Sequence, residues 1–326
     1  MVKYLSGVEG VLLLLIVAIS AVLAWTAPGF WSWQNIFDLL NGSAVNMIFA
    51  VGLLVVLVVG GIDISFAVGA SVVQYVSLTL AAKLGADGAW LTMSLALLCG
   101  FALGAFNAVL IYGFRVVSII ITIATFNVFF GLLMFLTNGR SLWSIPDWLY
   151  TRHPVWTMQT GLGEAAVHLP VAIMLLMAFI TFYILKFTGF GRQLYGYGSN
   201  PEAAMREGVS GWKVHLFAYG WLGICAAVAG MMQVHIVKEV VPNALIGREF
   251  DVLAAVVLGG ATLGGGRGSV AGALLGVLFL ALLQNGMNLL GISPYAFRVV
   301  VGVVILTAIT GINFGTLRKN LKQGKA

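Results

Sequence analysis

Few residues in this chain could do chemistry, and those few lie inside or beside long apolar runs. Asp63, in GGIDIS (60–65), is an acidic group within a hydrophobic stretch. An acidic side chain at membrane depth costs about 2.5–3.5 kcal/mol on insertion scales, so it must face protein or water. Two roles fit it. It could belong to a solute pathway or gate, or it could cap a helix beginning at Ser65 by accepting backbone N–H bonds. Asn46, Ser65, Gln74, Asn107, Asn127, Gln284, Asn285 and Asn288 place hydroxyl and amide groups inside or at the ends of similar runs. Such groups either bond helix to helix or offer donors and acceptors to a neutral, hydroxyl-rich solute.

Other chemistries lack their residues. GGATLGGGRGS (259–269) is glycine-rich but has no GK[ST] ending, whose Lys would reach a nucleotide's phosphates. His153, His168, His215 and His235 are scattered, and Cys99 and Cys225 lie within apolar runs, so no metal spacing and no disulfide framework is expected. No nucleophile–base constellation is visible, which speaks against a membrane-embedded enzyme.

The elements that must carry these groups follow from composition. The chain has 326 residues, 60% hydrophobic and 9% charged, against about 25% charged in soluble domains. Apolar runs approach the ~20 residues needed to cross a bilayer. They predict spans near 10–27, 44–61, 67–83, 89–113, 117–137, 169–186, 214–234, 251–265, 269–290 and 296–313. The expected fold is all-α: a polytopic membrane protein of about ten transmembrane helices, some broken, forming one membrane domain over 1–326. With ten spans both termini share a side, and that side collects eleven of the 17 Lys and Arg residues, which predicts cytoplasmic termini. The net charge of +6 then reports topology and anionic lipid, not nucleic acid. Arg248 and Asp251 fall in the opposite group of charges, and Arg298 near a span end. Residues 138–168, with Trp143, Trp148 and Trp156, read as a periplasmic interfacial loop.

Two segments break the apolar pattern in the same way. VVGGIDISFAVGAS (58–71) and VLGGATLGGGRGS (257–269) share a glycine doublet, a polar residue two positions on, and a small-residue ending. Gly60, Gly61, Gly259 and Gly260 mark the breaks. They are either discontinuous helices near a substrate route or tight connections between neighbouring helices. Gly100, Gly104, Gly272 and Gly276 read as close-packing positions.

The loop at about 187–213 is a polar, basic island on the predicted cytoplasmic side. Asn200 can cap a helix, Pro201 suits its first position, Glu202 complements its positive end and Gly208 ends it. A helix of two turns is marginal alone, so it must pack on its own membrane domain, on a soluble partner, or on both; an ordinary surface turn is the plainer alternative.

Taken together, GGIDIS, TNGR (137–140), FGRQLYGYGSNPEAAMREGV (190–209), PNALIGREFDVLAAVVLGGATLGGGRGSVAGALLG (242–276) and NGMNLLGISP (285–294) resemble permease subunits of bacterial ABC sugar importers, in the branch for ribose, xylose, arabinose, galactose and autoinducer-2. The resemblance implies a multi-pass inner-membrane subunit that imports a monosaccharide or related small polyol. It implies cytoplasmic ATPase subunits that bind the ATP, a periplasmic sugar-binding protein, and a second permease copy or paralogue. It also implies that Arg192, Asn200, Pro201, Glu202, Ala203, Ala204, Arg206 and Gly208 form the region that meets the ATPase. This chain departs from the common GGIDLSVGS pattern: Phe66, Ala67 and Val68 follow GGIDIS, which adds Phe66 to the pathway candidates. Val116, Val117 and Ser118 follow Arg115 where two prolines are common. An ion-coupled secondary transporter of a small neutral solute is the alternative, and several intramembrane charges would favour it.

Overall fold

The computed structural model describes residues 7–85, 88–151, 154–161, 163–293, 295–303 and 306. Eight helices among them are long and apolar enough to cross a membrane. These are α1 (Val8–Thr26), α2 (Trp33–Val59), α3 (Phe66–Lys83), α4 (Ala89–Phe114), α5 (Ser118–Thr137), α7 (Leu169–Phe187), α10 (Gly211–Val237) and α12 (Val270–Leu289). The shorter helices are α6 (Asp147–Tyr150), α8 (Gly189–Ser199), α9 (Pro201–Arg206) and α11 (Arg248–Leu258).

α2 and α10 form the hub. The run LLVVLVV closing α2 is rich in β-branched residues yet helical, because a helix satisfies its backbone polar groups internally where no water can. Residues 43–59 of α2 are almost all buried, as are Ala218, Tyr219, Leu222 and Cys225 of α10. α4, α3 and α2 pack around α10; α12, α7 and α11 pack around α2. α1 and α5 stand outside, turning residues such as Leu14, Val17, Leu132 and Phe135 outward, as lipid-facing helices do.

Glycines set the closest approaches. A Cβ on Gly100 or Gly104 of α4 would overlap the backbone carbonyls of Gly223 and Tyr219 of α10. A Cβ on Gly272 or Gly276 of α12 would overlap the Gly259 and Ala255 carbonyls. The close-packing reading of these four glycines agrees with this geometry.

Two expected spans need correction. The one expected at 44–61 begins at Trp33, where Ser32 Oγ accepts from Asn35 N at 3.2 Å. The one expected at 251–265 is not a span. α11 has 11 residues, about 16 Å at 1.5 Å per residue, half of a ~30 Å hydrocarbon core. Its apolar-looking continuation, 259–269, is an irregular glycine turn. Residues 295–303 begin a further helix; most of the span expected at 296–313, and the C-terminal charges, lie outside the described residues.

The segment 138–168 holds more structure than a loop. β1 (Pro154–Thr160) and β2 (Gly163–His168) pair antiparallel. Asn41 of α2 ties the hairpin down, donating to Ala166 O at 2.9 Å and accepting from His168 N at 3.0 Å. Leu142 and Val240 exchange backbone hydrogen bonds of 2.9 and 3.0 Å. These contacts define a hairpin end of the bundle, opposite the end that carries α8 and α9.

Candidate functional site: a polar cavity between α2, α11 and α12

A cavity of about 480 Å³ opens between α2, α11, α12 and the helix starting at 295, within the 300–1,000 Å³ typical of small-ligand sites. Asp38, Asn46, Arg248, Asp251, Asn285 and Arg298 are among its walls. α11 makes it possible. The chain reaches Arg248 by an irregular segment, so a helix begins beside Asn46, half-way along α2. Gly247 turns the chain into that helix with φ +93°, a left-handed conformation glycine adopts without strain. Glu249, buried, accepts from Gly247 N at 3.0 Å through both carboxylate oxygens. The helix start is therefore capped from within. Arg248 Nη1 donates to Asn46 Oδ1 at 3.2 Å. Asp251, three residues on, shares a helix face with Arg248.

The cavity separates the candidate pathway residues into two groups. Asn46, Gln284, Asn285 and Asn288 line it. Asn285 and Asn35 bond reciprocally, at 2.7 and 3.2 Å, so Asn285 shapes the wall with its amide already engaged. Gln284 and Asn288 are exposed to the cavity side. Arg248, Asp251 and Arg298, assigned from sequence to connections outside or at span ends, stand here at the cavity. Sequence reasoning missed them, because charges beside a helix of only 11 residues look in sequence like charges at a membrane surface.

Asp63, Ser65, Phe66 and Asn107 form a different cluster, between α3, α4 and α10. Asp63 Oδ1 accepts from Ser65 N at 2.6 Å and Ser65 Oγ at 2.7 Å, and Asn107 Nδ2 reaches Asp63 Oδ2 at 3.2 Å and Ser65 Oγ at 2.9 Å. This is the capping geometry, fully enclosed: Asp63 and Asn107 are 3% and 2% exposed, so neither is presented to the large cavity. Gln74 is spent on helix packing, donating to Gly230 O at 2.7 Å. Asn127 bonds its own helix at Ile123 O.

The glycine breaks meet each other and the polar island. Gly60 ends α2 at φ +88° and Gly260 turns at φ +94°. Gly266 N donates to Val58 O at 2.8 Å, and a Cβ on Gly265 would come within 2.9 Å of Gly60. α8 seals this junction from outside. Tyr195 Oη donates to Gly268 O at 2.7 Å, and partial burial pushes that phenol's pKa up, keeping it a donor. Gly198 lies directly on Val58 O. α9 follows as the motif requires: Asn200 Oδ1 accepts from Ala203 N at 3.0 Å, and Gly208 closes the turn at φ +85°. Pro201, Glu202, Ala203, Met205, Arg206 and Gly208 are exposed, as is Arg192 on α8; Ala204 is buried against the body.

A family model described as branched-chain amino acid transport system / permease component matches residues 35–309. The chain belongs to that permease family. The ribose import permease of Escherichia coli (strain K12) is 34% identical over 299 residues, covering 91% of each chain. That of Bacillus subtilis (strain 168) is 35% identical over 290 residues, covering 86% of this chain and 85% of its own. The autoinducer 2 import system permease of Yersinia enterocolitica is 29% identical over 323 residues, covering 97% and 86%. No solved structure matches. The permease is thus a multi-pass inner-membrane transport subunit and not an enzyme. Its matched region contains the cavity, both breaks and the α8–α9 island.

Proposed function

We propose that this permease forms the membrane pathway of an ATP-driven importer for a monosaccharide, a pentose, hexose or related small polyol. The observation that carries the reading is the cavity. Among the described residues its walls bring together amides, two arginines and two aspartates, donors and acceptors whose formal charges cancel. A hydroxyl-rich neutral solute matches that pattern. The apolar side chain of a branched-chain amino acid would face these amides and charges without offering them a hydrogen bond. Relatives named for ribose and autoinducer-2 import support the same choice.

In this reading the hairpin end faces the periplasm, where a sugar-binding protein delivers the solute, and both termini are cytoplasmic. ATPase subunits, which bind the ATP, dock on the exposed face of α8 and α9, and a second permease completes the assembly. The four break glycines form the inner closure, where α8 reaches α2 and the end of α11. Asp63 acts by fixing the start of α3. The permease itself supplies no cofactor site.

The test is uptake in sealed vesicles containing the permease, its ATPase and the binding protein. Accumulation of a monosaccharide on internal ATP, and not on an imposed ion gradient, is the expected outcome. Gradient-driven uptake without ATP would replace this reading with the ion-coupled one, which the charges at the cavity make the proper competitor.

A further inference from the structure

We infer that the permease carries a sugar-binding site of its own, with Arg248 as the residue that reads the ligand's hydroxyls and Asn46 as the residue that positions Arg248. This rests on the cavity being the monosaccharide pathway, and goes beyond it. A pathway needs only to let a solute pass, whereas a site holds the solute in one orientation.

Three observations carry the inference. The first is the anchoring of Arg248. A guanidinium has five N–H donors in a rigid fork; among the described residues one hydrogen bond from Arg248 to protein is seen, to Asn46 Oδ1 at 3.2 Å. Asn46 is a neutral amide on the central helix. It fixes the fork without neutralising it, and leaves donors for a ligand. The second is the acceptor beside it. Asp251 lies one helical turn along the same face and lines the same cavity. A guanidinium next to a carboxylate offers donors and acceptors a few ångströms apart, which is what the vicinal hydroxyls of a sugar need. The third is that the surroundings are braced. Glu249 is buried and bonded to Gly247 N, and the Asn35–Asn285 pair ties α2 to α12. A site held by such supporting bonds is pre-organised, and its geometry can discriminate. Charge selects the ligand class: Arg248 and Arg298 are matched by Asp38 and Asp251 around the cavity, so a neutral polyol fits better than an anion.

The experiment uses the full chain in lipid nanodiscs, without binding protein, carrying Ala281→Cys on the cavity wall and with Cys99 and Cys225 replaced. The readout is the alkylation rate of the new thiol against rising D-ribose, D-xylose, L-arabinose or D-galactose, with L-leucine as comparison. At least one monosaccharide should slow alkylation threefold or more, with a saturable midpoint. Arg248→Gln should move that midpoint at least tenfold. Arg248→Lys, which keeps the charge and loses the fork, should recover part of it. Asn46→Leu should match Arg248→Gln and add nothing to it in the double variant, while Asn46→Gln, which keeps a neutral amide acceptor, should recover part of the parent's midpoint and Asn46→Asp, which pairs the guanidinium, should not. Non-additivity and rescue separate positioning from a general structural role. The inference is overturned if none of the sugars protects the parent while the complete importer accumulates one of them. It is also overturned if Arg248→Gln is protected as the parent is, or if leucine alone protects. If the complete importer accumulates none of these sugars, the functional reading falls and this inference falls with it.

Discussion

Gly198 is the position at which a single methyl group should disconnect the α8–α9 surface from the cavity. A Cβ there would overlap Val58 O and would lie 2.8 Å from Gly266 N and 2.9 Å from the Val58 carbonyl carbon. All three neighbours are backbone, so no side chain can swing away. The overlap falls on the 2.8 Å hydrogen bond from Gly266 N to Val58 O, which joins the end of α2 to the turn after α11. Over-packing of this kind costs about 1–3 kcal/mol, and a lost backbone hydrogen bond adds about 1 kcal/mol. The sum, roughly 2–4 kcal/mol by these same figures, is enough to part α8 from the junction while leaving an inserted bundle. Gly196→Ala is the matched control: it lies on the same helix, and a Cβ there meets nothing within 4 Å. Alanine at 196 should improve local helix propensity by up to about 1 kcal/mol. The assay is ATP-driven uptake in vesicles, alongside ATP hydrolysis and co-purification of the ATPase. We expect Gly198→Ala to keep its ATPase partner and hydrolysis while uptake falls at least tenfold, and Gly196→Ala to transport normally. Equal transport by the two variants would refute the argument that force passes through this junction.

Other perturbations separate the remaining elements. Asp63→Asn keeps an acceptor for Ser65 N and should lower uptake modestly, whereas Asp63→Leu removes the α3 cap and should cost about 1–3 kcal/mol as buried donors lose their partner; thermal melting in detergent beside uptake checks both. Glu202→Lys on the exposed first turn of α9 should leave insertion intact and uncouple uptake from hydrolysis, measured as sugar accumulated per ATP consumed. Gln74→Leu should lower the melting temperature by breaking its bond to Gly230 O and leave the order of sugar preference unchanged, because Gln74 does not line the cavity. Single-cysteine labelling in intact cells should reach Ser144→Cys from outside and not Gln323→Cys; external labelling of 323 would reverse the assigned orientation.

The sequence made the long helices legible, because an apolar run of twenty residues has one stable form in lipid. It also made α9 legible, because Asn200, Pro201 and Gly208 are each specific to one position of a helix end. It failed where glycine had two meanings. GFGRQLYGYGS holds four glycines in eleven residues, which argues against a helix on propensity alone, yet it forms α8. Gly191 and Gly198 are there because a Cβ would strike the Ile184 and Val58 carbonyls, so packing contact outweighs propensity. In AAVVLGGATLGG the reverse holds: hydropathy extends a span through residues whose glycines end it. The cavity was partly legible through Asn46, Gln284, Asn285 and Asn288. Arg248 and Asp251 were not, since a charge at the start of a half-length helix looks in sequence like a charge at a membrane surface, and Arg298, just inside the helix that begins at 295, read as a span-end charge.

Two of the helices that wall the cavity, α2 and α11, end at one junction. Asn46 lies 12 positions before Val58 on α2, and Arg248 lies 11 before Gly259, so both members of the Arg248–Asn46 pair stand about 16–18 Å from the glycine junction along straight helices. Helices of that length act as levers. Over such a distance a tilt of about 5° at the junction carries the Arg248 Cα by roughly 1.5 Å, more than a hydrogen bond tolerates. In the mechanism proposed above, a displacement of α8 small enough to leave the bundle packed would therefore open or close the Arg248–Asn46 pair, entering through the glycine junction. On that mechanism the cavity would need no flexible part, because rigid walls pivoting at one shared end would bind a solute in one state and release it in another.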